Sequence, residues 1–145
     1  MTEPVSFKIA KLLKEKGFDI PIQHTIANEN YVYDIYTKNF TKNISTNAIA
    51  NWNDEKYEGI LSAPTIAEVV MWLYEKHGIW INPIPRLSSW IFTIQEVRTG
   101  NNESLIDIDF YESNTYLKFK GVPTIMNSPT EAYEAAIEYT LNNLI

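Results

Sequence analysis

The sequence predicts an α+β fold: an antiparallel β-sheet of about four strands with α-helices packed on one face. Three observations carry this. Apolar residues recur at helical spacing in separate segments bounded by capping residues, and short alternating segments rich in Ile, Val, Trp, Phe and Tyr lie between them. The links between those short segments are too brief for crossover helices, which favours antiparallel pairing. The chain's 145 residues and 45% hydrophobic content fit one soluble domain, large enough to bury a core without disulfides or structural metal.

The first helix is expected from about Val5 to Lys16, with Val5, Ile9, Leu12 and Leu13 on one face, lysines on the other, and Gly17 as its stop. Tyr31–Tyr36 reads as a strand, because β-branched and aromatic residues fill it. From Thr37 to Leu61 the chain is rich in Asn, Thr and Lys with irregular apolar spacing, which reads as a long loop. A second helix starts at Ser62-Ala-Pro-Thr65, where Thr65 and Glu68 match a capping box and Ser62 competes as the cap. Its stripe is Ile66, Val69, Val70, Leu73 and His77, and Gly78 ends it.

Strands are then expected at Ile79–Ile84, Ser89–Val97 and Leu105–Tyr111, with a further one at Thr115–Lys120. Pro83 and Pro85 cannot donate to a ladder, so the first of these belongs at an edge. Trp90, Phe92 and Ile94 share one strand face, as do Ile106, Ile108 and Phe110, with Asp107 and Asp109 opposite; one face of the sheet is expected to be apolar. The last helix opens at Ser128, with Pro129 in its first position and Glu131 completing the capping box. Tyr133, Ala136, Ile137, Leu141 and Leu144 form its stripe. The expected organisation is a single domain over 1–145: a helix-strand unit at 1–36, a long polar loop at 37–61 and a helix-sheet-helix core at 62–145.

The Ser62-Ala-Pro-Thr65 helix start, the Lys76-His-Gly78 helix end, the Ser88-Ser-Trp-Ile-Phe92 strand and the Pro129-Thr-Glu-Ala-Tyr-Glu-Ala-Ala-Ile-Glu138 helix together resemble small uncharacterised phage and prophage proteins. In layout the chain is similar to the phage ABA sandwich domain, over roughly residues 60–145. The resemblance implies an α+β core and a phage accessory protein acting inside a bacterium; it implies no catalytic residues.

Charge and composition narrow the chemistry. With 12 Lys and Arg against 18 Asp and Glu, the net charge of -6 opposes general attraction to phosphate or anionic lipid. The imbalance lies after residue 53, where acids alternate with apolar residues instead of forming the runs of a DNA mimic. The absence of Cys removes thiol nucleophiles, thiolate zinc sites and iron-sulfur clusters. Neither a phosphate-binding glycine loop, a nucleophile elbow nor a His-Glu-x-x-His motif occurs. No apolar run reaches the roughly 20 residues of a membrane span, and Met1–Ser6 does not read as a secretory leader, so the expected location is the cytoplasm of a bacterial host cell.

Candidate residues remain. Trp52, set among amides and followed by Tyr57, fits two readings, an aromatic that docks on a partner or stacks on a sugar or base, and one that pins the long loop to the core. Trp72 lies beside its helix stripe and Trp80 opposite Ile79 and Ile81, so these two extend the candidate partner-binding set. Asp107 and Asp109 with Glu112 form the candidate metal cluster, since Mg²⁺ and Mn²⁺ prefer carboxylate oxygens; the competing reading is a solvated strand face. His77 reads as a cation at a helix C-terminus, and His24 as a surface loop residue. Lys8, Lys11, Lys14 and Lys16 read as a solvated helix face.

The expected function is a non-enzymatic phage or prophage accessory protein that binds a bacterial or phage protein, without a cofactor. A divalent-metal-dependent enzyme using Asp107, Asp109 and Glu112 is the first alternative. A self-assembling or virion-associated component is the second, with homo-oligomers open.

Overall fold

In a computed structural model of the chain, the described residues are 3–20, 30–43, 52–54, 58–98, 107–112 and 126–145. Their elements are α1 (Phe7–Glu15), β1 (Asn30–Asp34), β2 (Phe40–Asn43), β3 (Ile60–Ser62), α2 (Ile66–His77), β4 (Ile79–Pro85), β5 (Trp90–Arg98), β6 (Asp107–Glu112) and α3 (Pro129–Asn143). The class is α+β, with every strand pair antiparallel. Instead of one sheet of about four strands, the described residues form two three-stranded sheets, in the orders β2-β1-β3 and β4-β5-β6. The chain divides into two compact units, Met1–Ala67 and Glu68–Ile145.

In the first unit, α1 buries Ile9, Ala10 and Leu13, while Leu12 is half-buried. Val5 is fully buried but precedes the helix, its N–H donating to Pro64 O at 2.9 Å. Gly17, at φ 78°, ends α1 as expected. The Phe18 N–H donates to Leu13 O and the Gly17 N–H to Lys14 O, which is the Schellman pairing that satisfies the last carbonyls.

The stretch read as a loop from Thr37 contains strands, because Asp34 turns the chain back. Its Oδ1 accepts from the Tyr36 and Thr37 N–H groups at 2.9 and 2.7 Å and from Thr37 Oγ1 at 3.0 Å. β1 therefore stops two residues before Tyr36, Lys38 takes a left-handed φ of 59°, and β2 pairs back with Tyr33 opposite Phe40. On the other side of β1, Val32 lies opposite Ser62 of β3. Tyr33 joins this sheet to the N-terminal segment: its hydroxyl donates to Val5 O at 2.7 Å, and its ring packs edge-on with Phe7 and Phe40.

Thr65 sits immediately before α2, where a cap belongs, whereas Ser62 is part of β3. The Ile66 N–H, one of the amides a helix start leaves unpaired, donates to Glu3 O at 3.4 Å. Ile66, Val69, Val70 and Leu73 are buried as the stripe predicts, and Gly78, at φ 67°, closes the helix with its N–H on Tyr74 O.

In the second unit β4 and β5 form a hairpin closed by Arg86 N–H to Ser89 O at 2.8 Å. β4 is an edge strand among the described residues. The Trp90 N–H donates to Met126 O, away from its β4 partner Pro85, so Pro85–Trp90 is a non-hydrogen-bonded pair. By alternation Pro83–Phe92 is another, and both prolines fall where no ladder donor is needed.

Register corrects the expected single apolar face. Ile79, Ile81, Phe92 and Ile94 share one face and Ile91 and Thr93 the other, while the β6 backbone pairs Ile108 with Val97 and Phe110 with Gln95. Ile91 and Thr93 are themselves buried, so both faces carry core residues. Alternation fixes sides within a strand; which sides of two strands coincide is set by register. Leu105, Ile106 and the strand expected at Thr115–Lys120 lie outside the described residues.

α3 packs across β4 and β5 through Ala132, Ala136, Ile137, Thr140 and Leu141. Ser128 caps it, accepting from the Glu131 N–H at 3.1 Å. Glu131 returns to the Asn127 N–H at 2.6 Å, one residue earlier than in the usual capping box.

Candidate functional site: an exposed aromatic patch

The four expected partner-binding residues separate. Trp52 is buried (7% exposed) against Val32 and Ile60, and neighbouring Asn53 fixes the segment. Asn53 Nδ2 donates to Phe18 O and its Oδ1 accepts from the Ser62 N–H, both at 3.0 Å. The amide beside the tryptophan therefore pins the chain to the segment that follows α1 and to β3. Trp72 is also buried, at 2%. Tyr57 lies outside the described residues. Trp80 alone of the four is exposed where the structure describes them, at 37%.

Around Trp80 the structure assembles residues the sequence reading passed over. Tyr74 of α2 meets its ring edge-to-face, 5.7 Å between centroids at 86°. Met71 lies one turn before Tyr74, and it and Tyr74 are 44% and 42% exposed. The signal was present in α2: Met71, Trp72 and Tyr74 add apolar surface beyond the Ile66, Val69, Val70, Leu73 stripe. A helix apolar around so much of its circumference has more to cover than one stripe contact buries.

The acidic residues Asp107, Asp109 and Glu112 have their backbone in β6, and their side chains lie outside what the structure describes. Asp107 and Asp109 are two residues apart on β6, opposite Arg98 and Glu96, while Glu112 is opposite Thr93. Among the described residues no group of three His, Asp or Glu is placed to hold a metal ion.

His77 departs from the expected cationic cap. Its Nε2 is enclosed and has no hydrogen-bond partner among the described residues. Its ring packs on Trp72, 4.8 Å between centroids at 72°. Burial pushes its pKa below the ordinary histidine value, and the Lys76 charge lowers it further. His24 lies outside the described residues. On α1, Lys8 and Lys11 are exposed and Lys14 and Lys16 half-buried, with Lys11 3.9 Å from Glu15. That is a solvated face.

No helix among the described residues is long and apolar enough to cross a membrane. No protein-family model matches the chain, and no similar curated protein or solved structure was found.

Proposed function

We propose that the chain is a non-enzymatic phage or prophage accessory protein that binds a bacterial or phage protein through the patch formed by Met71, Tyr74 and Trp80. The observation that carries this reading is the exposed Tyr74–Trp80 pair, two aromatic side chains held together at the surface with Met71 beside them. Aromatic and methionine side chains are enriched in the buried centres of protein interfaces. The phage setting rests on the resemblance of residues 60–145.

The test is affinity capture of the tagged chain from its host, with and without phage genes, beside a Tyr74→Ala/Trp80→Ala variant. A stoichiometric partner protein held by the wild type and lost by the variant is the expected result. A partner held equally by both overturns the assignment of the patch. A concentration-dependent dimer of the purified chain, abolished by the same substitutions, makes the partner a second copy.

A further inference from the structure

We propose that His77 is an acid-sensitive latch on the corner between α2 and β4: uncharged, its ring seats on Trp72, and on protonation it leaves that seat and loosens the corner. The inference stands apart from the partner reading. The geometry has three parts. The imidazole lies edge-on to Trp72 at 4.8 Å between centroids, Nε2 is enclosed with no acceptor among the described residues, and the Lys76 ammonium is 6.0 Å from the same indole centroid. Protonation places a second N–H in an enclosure that offers it no acceptor. It also adds a positive charge beside Lys76, which repels it. The indole face and the helix C-terminus each favour a cation, but neither supplies the missing acceptor. Burial and Lys76 act on His77 in the same direction. β4 carries no charged residue, and the carboxylates on the elements around the corner are Glu68 and Glu75 of α2 and Glu131, Glu134 and Glu138 of α3. Gly78 leads directly from the latch into β4, so His77 sits between Tyr74 and Trp80 and its seating sets their approach.

The test is an NMR titration of the full chain from pH 8 to 4.5, following the His77 imidazole and the indole signals of Trp72 and Trp80. The expected result is a His77 midpoint below about 6.5, with both indole signals moving at that same midpoint. Lys76→Gln is expected to raise the midpoint, and His24→Gln to leave it unchanged. His77→Gln is expected to abolish the shared transition; if that variant does not fold, the wild-type and Lys76→Gln titrations decide. A midpoint at or above 6.5, or a His77 titration that leaves the Trp72 and Trp80 indoles still, overturns the latch.

Discussion

Replacing Tyr33 with phenylalanine removes one oxygen atom from the first unit and leaves its ring packing in place. That oxygen donates to Val5 O at 2.7 Å in a buried setting, and Val5 itself is fully buried. The bond is worth about 1 kcal/mol net, and leaving its carbonyl partner unpaired away from water raises the cost to about 1–3 kcal/mol. The edge-to-face contacts with Phe7 at 5.5 Å and Phe40 at 5.6 Å need only the ring and survive the change. Tyr33→Ala loses those too, so its expected cost is about 3–5 kcal/mol. Urea denaturation followed by circular dichroism measures both, as a fall in midpoint at unchanged slope. The difference between the two variants isolates the ring from the hydroxyl. A Tyr33→Phe variant within about 0.3 kcal/mol of wild type refutes the claim that this hydroxyl ties β1 to the N-terminal segment.

Ser128→Ala removes the side-chain acceptor of the Glu131 N–H and is expected to cost about 1 kcal/mol, read by the same denaturation; Ser128→Asp should retain most of it. Ser62 Oγ is buried with no hydrogen-bond partner among the described residues, while the Ser62 main-chain N–H is held by Asn53. Ser62→Ala is therefore expected to be neutral or to stabilise by up to about 1 kcal/mol, and a clear loss contradicts that account of the hydroxyl. Asp34 is held below the usual aspartate range first by the Thr37 backbone N–H, then by the Thr37 hydroxyl and the Tyr36 N–H. A depressed carboxyl stabilises the fold above its ordinary range and loses that contribution as pH falls through the depressed value. Amide exchange at Tyr36 and Thr37 is accordingly expected to quicken on acidification in the wild type and to be pH-flat, once intrinsic exchange is corrected for, in Asp34→Asn.

Local chemistry explains which parts of this fold are legible in the sequence. Gly17, Gly78, Ser128 and Pro129 mark helix ends because left-handed backbone and cap hydrogen bonds require those residue types, and each stands where expected. The prolines of β4 likewise identify an edge. What escaped the reading depends on partners distant in sequence. β2 and β3 are short and polar or mixed in character, and they exist as strands because β1 offers both its edges. The faces of β6 follow from its register with β5, which alternation within one strand does not encode. The site divides the same way: a tryptophan among asparagines fits a docking loop and a pinned loop alike, and the Asn53 bonds to Phe18 and Ser62 that hold the segment involve partners distant in sequence. Trp80 was identifiable from strand parity, but its pairing with Tyr74 needs the α2–β4 corner.

Site-specific photocrosslinking tests whether the surface around Trp80 meets a protein partner, with a benzophenone amino acid placed at position 80, and at position 38 on the exposed β1–β2 turn as a control, in cells carrying the phage genes. The expected result is one discrete crosslinked protein from position 80 and none in common with position 38. The same adducts from both positions, or no adduct from position 80, would contradict it.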